Sequence, residues 1–353
     1  MTYRIGGMFT LEKQALGETH FLQDIGTDTR HYMSGRCALY ACLKEIRATD
    51  SKHTAYVPAY TCETVLSSYE KAGYDLRFYD VDKDRLTPMF RQEDLKDISV
   101  LLLCGYFGFS SYDRNFVRYA KKQGITVLQD TTHSIFSLDG HSPDADYYAG
   151  SVRKWMGIAS GGVAIKREGT FSLPMIQPEE THLKGRYLAM QYRQEALDSG
   201  DTTHDKQASD VFWETEMRLR QMFDAFQGDA ESEAIIAHFN PKALFERRRN
   251  NYQTVLDNLL ESEQCKAVFP SLDDATCPSH FCFYSNNRDH AQKQLEKMGI
   301  RSTVYWPRPP MLKNPKQMPH AAWVYDHIAS VQVDQRYDRK TMEYLGKSLS
   351  SLG

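Results

Sequence analysis

The chain has 353 residues, 41% of them hydrophobic and 25% charged, which is enough to bury a substantial core and more than one globular unit usually holds, so two domains are expected. A formal net charge of -3 and a pI near 6.5 leave no basic excess; this excludes the electrostatic footprint of a nucleic-acid binder and points to small-molecule partners. The seven cysteines, at positions 37, 42, 62, 104, 265, 277 and 282, form no C-x-x-C pair and sit mostly in apolar segments, which fits a reducing compartment.

The opening Met1-Thr2-Tyr3-Arg4-Ile5-Gly6-Gly7 lacks the apolar core of a secretory signal, and residues 1–30 read as an N-terminal arm. From about residue 33 to 166 short apolar runs alternate with amphipathic stretches, the pattern of a sheet fed by helical crossovers. Strands are expected at Thr54–Val57, Leu76–Val81, Val100–Cys104, Ile125–Leu128, Asp146–Tyr148 and Gly162–Ile165. Between them, Leu39, Cys42, Leu43 and Ile46 mark one helix stripe, and Val117, Tyr119 and Ala120 another that Gly124 ends. The longest greasy stretch, Val100 to Phe109, is broken by Cys104-Gly105 and falls far short of the roughly 20 residues of a membrane span, so a soluble, cytoplasmic protein is expected. Residues 186–262, rich in Arg, Gln, Glu and Leu, predict long helices, with Arg247, Arg248 and Arg249 read as a solvated helix face rather than a phosphate site. After Pro270, strands at His280–Tyr284 and Ser302–Trp306 flank a helix over Asp289–Met298, before Pro307, Pro309 and Pro310 force an irregular segment. Residues 31–235 therefore read as a large α/β domain with a mostly parallel sheet, and 236–353 as a small C-terminal α+β domain.

Three stretches carry chemistry. Lys154 closes Ser151-Val152-Arg153-Lys154 ahead of the glycine pair Gly161-Gly162, as a Schiff-base lysine would, and Asp130 ends the run Ile125–Leu128-Gln129-Asp130 at the mouth of a buried strand. An amine that can join an aldehyde and a carboxylate that can keep a pyridine nitrogen protonated point to pyridoxal 5'-phosphate. Ser34-Gly35-Arg36 supplies a glycine turn that opens a helix, a natural anion site, although an ordinary loop-to-helix junction has the same look. Ser151 can add a hydroxyl to the same phosphate or merely cap its strand. Asp130 can equally be a helix N-cap, His133 a packed wall histidine, and Arg153 half of a structural ion pair. No metal-ligand spacing is present.

Taken together these segments resemble the DegT/StrS family of fold-type I aminotransferases. Ser34–Leu39 is similar to its S-G-T-x-A-L turn, Val57-Pro58-Ala59-Tyr60-Thr61-Cys62 to its V-P-x-F-T-F strand end, and Tyr79-Asp80-Val81-Asp82 to its v-D-v-D segment. Gln129–His133 stands where the family has E-D-x-A-Q or a histidine variant, and Phe269-Pro270, the strand at Phe281, Gly299-Ile300-Arg301 and Tyr305-Trp306-Pro307 resemble the small-domain motifs. The resemblance implies a PLP-dependent aminotransferase working as a homodimer with shared active sites. It implies an amino acid donor, glutamate, and a keto acceptor of the nucleotide-linked keto-sugar class. Lys154 would carry the cofactor and shuttle the proton, Asp130 would pair with the pyridine nitrogen, Gly35 and Arg36 would give phosphate amides, and His133 would meet the ring hydroxyl. The chain departs from the pattern at Cys62, where the family stacks an aromatic ring on the cofactor and Tyr60 becomes the substitute, at Arg36 in place of threonine, and in the spacing before Lys154. Arg308 beside Tyr305-Trp306-Pro307 is the candidate cation for a substrate diphosphate. A PLP-dependent elimination or dehydration, and a non-catalytic regulatory protein of the same fold, are the alternatives; intact Lys154 counts against both.

Overall fold

The computed structural model describes residues 4–14 and 19–353, so Met1–Tyr3 and residues 15–18 of the expected arm lie outside the described residues. Eight strands, β1 (Asp28–Tyr32), β2 (Thr54–Pro58), β3 (Asp75–Val81), β4 (Pro88–Met89), β5 (Ile98–Cys104), β6 (Thr126–Asp130), β7 (Tyr147–Ser151) and β8 (Gly162–Lys166), form one sheet in the order β1-β8-β7-β6-β5-β2-β3-β4. The central β3-β2-β5-β6-β7 ladder is parallel, while β8 runs antiparallel to both β7 and β1. This is the expected α/β architecture.

Both faces of the sheet are buried, as near-continuous apolar strands require. Leu101, Leu103 and Val127 point into one core together with Phe116, Val117 and Ala120 of α3 (Arg114–Lys122). Val100, Leu102 and Leu128 point into the other, against α1 (Gly35–Arg47) and α2 (Glu63–Lys71). Tyr119, expected on the apolar stripe of α3, is instead turned to solvent. Beyond β8, the long helices expected from composition are α4 (Glu180–Ser199) and α5 (Thr202–Met222), packed as a hairpin, followed by α6 (Ala230–His238) and α7 (Pro241–Asp257).

A second, three-stranded antiparallel sheet has β10 (Phe281–Tyr284) between β9 (Lys266–Ala267) and β11 (Ile328–Val331). α8 (Arg288–Lys297) lies against β11, α9 (Pro319–His327) sets Trp323 edge-on to Tyr284 of β10 and also meets β3, and α10 (Arg339–Ser350) lies along α7. Ser302–Trp306 does not form the expected strand: a single bridge joins Thr303 to Ser330, and the chain then leaves the sheet because the rings of Tyr305 and Trp306 are drawn into an aromatic cluster. The solvated face expected for Arg247–Arg249 is also corrected. Arg247 is exposed, but Arg248 is fully buried and Arg249 donates to the carbonyls of Asp273 and Thr276, because α7 lies against the second sheet and packs both side chains inward.

Candidate active site

Parallel strands end together, and the loops beyond their C-terminal ends are where an α/β sheet gathers functional groups. Asp130 is the last residue of β6, Ser151 the last of β7, and Ser34-Gly35 follows β1 at the same edge. Ser34 caps α1 by accepting the amide of Cys37, which leaves the first amides of the helix free for another acceptor. A side chain at Gly35 would stand 2.9 Å from the Cβ of Ser151, and one at Gly162 would stand 2.0 Å from the carbonyl oxygen of Ser34. Only glycine lets this turn press onto β7 and β8.

Thr132, which sequence reasoning passed over, knits the site together. Its amide donates to Asp130 Oδ1 at 2.8 Å, its hydroxyl accepts the amide of Ser151 at 3.2 Å, and its carbonyl accepts Trp155 Nε1 at 2.8 Å. The short helical turn Val152–Lys154 is thereby fastened beside Asp130. Burial pushes the Asp130 carboxyl up from the ordinary aspartate value, against the opposing pull of the Thr132 hydrogen bonds and the Lys154 charge. The Lys154 amine sits 4.7 Å from the centroid of the Tyr305 ring.

His133 is buried, with Nδ1 hydrogen-bonded to Ser279 Oγ at 3.1 Å and Nε2 left without a partner. His280 Nδ1 shares the same hydroxyl at 3.1 Å, and its Nε2 meets Tyr305 Oη at 3.3 Å. Burial and the Lys154 charge hold both imidazoles neutral, His280 down to about 3. Phe107, whose φ of +57° is rare for a residue with a side chain, packs edge-on against His133 and Tyr305. Ser279, His280 and Phe107 belong to this wall although no motif flagged them; the sequence signal was only a polar pair at the mouth of β10.

Cys62 is half-buried at the start of α2, its Sγ 3.1 Å from Thr64 Oγ1. Tyr60 is fully enclosed, donates to the carbonyl of Tyr305, and packs its ring on Tyr106, Trp306 and Tyr325. It ties the two sheets together, and the ring beside the Lys154 amine is that of Tyr305. Arg308 is committed to Asp326, with Nη2 at 2.9 and 3.0 Å from its carboxylate oxygens. Arg36 is buried at the start of α1, over the ring of Phe223, and Arg153 pairs with Glu216 at 3.4 Å. Among the described residues, no group of three or more His, Cys, Asp or Glu side chains could hold a metal ion, and no helix is long and apolar enough to cross a membrane.

No protein-family model matches the chain, and no curated protein matches it in sequence. Solved structures do match in fold. Helicobacter pylori PseC, an aminotransferase involved in the biosynthesis of pseudoaminic acid, superposes at a TM-score of 0.67 with 12% identity, over 98% of this chain and 93% of that one. A DegT DnrJ EryC1 StrS aminotransferase from Brucella abortus gives 0.66 and 14%, over 96% and 91%. The PLP form of Spr1654 from Streptococcus pneumoniae gives 0.66 and 13%, over 98% and 93%. The chain has the fold of these aminotransferases along nearly its whole length.

Proposed function

We propose that the protein is a PLP-dependent aminotransferase that moves an amino group from an amino acid, glutamate, to a keto acceptor, a nucleotide-linked keto sugar. The observation that carries the reading is the meeting of Lys154 and Asp130 at the C-terminal edge of the parallel strands, with the glycine turn of α1 against Ser151 at the same edge. The donor set fits the cofactor. The free amides of Gly35 and Arg36 and the hydroxyl of Ser151 suit its phosphate, and the unpartnered Nε2 of His133 is a buried polar atom in want of the ring hydroxyl. When bound, the cofactor supplies an aldehyde that takes up the amino group and a protonated ring that draws electrons from the carbon losing its proton.

The protein's own residues supply the rest. Asp130, desolvated at the strand end, offers a carboxylate that a protonated ring nitrogen would stabilise by a charge-assisted hydrogen bond. Lys154 removes a proton and returns it at the neighbouring atom, and its reach is set by the turn that Thr132 and Trp155 clamp. The Tyr305 ring lies under that amine and is itself packed against Phe107 and Trp306. The keto-sugar acceptor rests on analogy alone, with the fold shared with PseC and with the family resemblance, since a fold does not by itself fix a substrate. We place the enzyme in the cytoplasm as a homodimer. Incubating cofactor-loaded protein with glutamate should shift its visible absorbance and release 2-oxoglutarate, and nucleotide-linked keto sugars should then restore the original spectrum. Turnover confined to simple 2-oxo acids would end the sugar reading and leave the aminotransferase standing.

A further inference from the structure

Between the start of α1 and the α4–α5 hairpin lies a charged group that the chemistry above does not use. Arg36 of α1, Arg153 of the lysine turn and Arg186 of α4 converge on one carboxylate, Glu216 of α5. Glu216 Oε1 lies 3.1 Å from Arg186 Nη1 and 3.4 Å from Arg153 Nη2. Arg36 is 8% exposed and Arg186 6%, so both guanidinium groups are taken almost wholly out of water. His182, fully buried beside them, is held neutral and adds no negative charge.

One carboxylate cannot satisfy three guanidinium groups. Nε of Arg36, Nε and Nη1 of Arg153 and Nε of Arg186 are buried without an acceptor. Two positive charges are left over in a place where like charges repel strongly and unpaired donors are costly. A purely structural ion-pair cluster would carry matched charges and filled donors. This one is short of an anion with two charges and several acceptor oxygens. Arg36 also directly follows Gly35, whose turn presses on Ser151, so the cluster is continuous with the open amides of α1.

We propose that Arg36, Arg153 and Arg186 form a phosphoryl-binding site that takes a dianionic phosphate, with Glu216 spacing the guanidinium forks. Planar forks suit phosphate oxygens, and the excess of two charges matches a phosphate dianion better than a single carboxylate. The phosphate belongs either to the cofactor or to the phosphoryl part of the substrate. Assigning it to one of these rests on the aminotransferase reading, whereas the site itself does not.

The full-length protein, stripped of cofactor, is titrated with pyridoxal 5'-phosphate, with pyridoxal and with inorganic phosphate, and the loaded protein with pyrophosphate. Colour at Lys154 and the thermal midpoint are the readouts. Arg153→Met and Arg186→Met should each weaken one phosphate-bearing ligand by about 10- to 100-fold, the loss of a charge-assisted hydrogen bond, and leave pyridoxal unchanged. Loss confined to pyridoxal 5'-phosphate assigns the cofactor's phosphate; loss confined to pyrophosphate protection of the loaded protein assigns the substrate's. Folded variants that bind every phosphate ligand as the parent does would overturn the site. Should the methionine variants fail to fold, Glu216→Gln, which removes the one opposing charge, should tighten phosphate binding, and unchanged or weaker binding would overturn it too. A parent that gains thermal stability from phosphate but never colours at Lys154 would sink the cofactor reading alone.

Discussion

Asp130 and Lys154 place opposite demands on one small volume. Burial raises the carboxyl, and the Thr132 hydrogen bonds and then the lysine charge pull it down again, so the carboxylate is held by donors that a ring N–H would join. Asp130→Asn should therefore still bind the cofactor but turn over roughly 10- to 100-fold more slowly, the loss of one charge-assisted hydrogen bond. Steady-state rates with glutamate check this; parent-like turnover would move the role to another carboxylate. Lys154→Ala removes the base itself and should cost roughly 100- to 10,000-fold and abolish the colour-bearing adduct. Borohydride should tag a peptide containing Lys154 in the parent, and a tag on Lys166 would end the assignment. At this scale the sequence showed the reacting groups because their chemistry is written in residue type. It hid Thr132, Ser279 and His280, whose part depends on which loops meet in space.

The turn from β1 into α1 works because two glycines let it touch its neighbours. An alanine at Gly162 would drive a methyl to 2.0 Å from the Ser34 carbonyl, so β8 or the turn must yield. Gly162→Ala should destabilise the fold by about 1 to 3 kcal/mol and weaken pyridoxal 5'-phosphate more than pyridoxal. Denaturant midpoints and paired binding titrations check both, and equal weakening of the two ligands would detach the turn from the phosphate. The central strands were legible because both of their faces are apolar. Edge strand β1, Asp-Thr-Arg-His-Tyr, was not, since its polar side chains find partners only in the folded chain, Arg30 donating to the carbonyls of Phe171 and Leu173. Ser302–Trp306 has strand-like residues, yet its rings are claimed by the wall around Lys154. Arg248 was misread because three adjacent arginines look solvated until a fold buries one. Its guanidinium donates to Ser279 O and Trp155 O and covers the Trp155 ring, joining α7 to both halves of the site.

On the scale of the whole molecule, the α4–α5 hairpin leaves Leu188, Leu197, Trp213 and Met217 exposed, with Trp213 and Met217 one turn apart on α5, apolar surface that a second subunit can cover. The active species should elute as a dimer, and an active monomer in sizing experiments would contradict shared sites. The histidines buried at the two ends of the site govern a different property, the response to acid. His133, His182 and His280 are all held neutral in the fold, the last two down to about 3. In the unfolded chain each takes a proton near pH 6.5. A folded value below the unfolded one means that the stability these groups contribute is complete above about pH 6.5 and is lost as pH falls through the folded value, because the unfolded state binds protons first. At pH 5 each can cost at most about 2 kcal/mol of stability. His31 and His141, also held down by burial, act in the same sense, while the raised carboxyls of Asp130, Glu12, Asp139 and Glu233 act in the opposite one, at lower pH because their ordinary values lie at about 4. The urea midpoint should thus be level from pH 8 to 7 and drop steadily toward pH 5, and His182→Gln should flatten that slope while leaving the rest of the curve in place. A midpoint that stays constant from pH 7 to 5 would falsify the neutral burial of these rings.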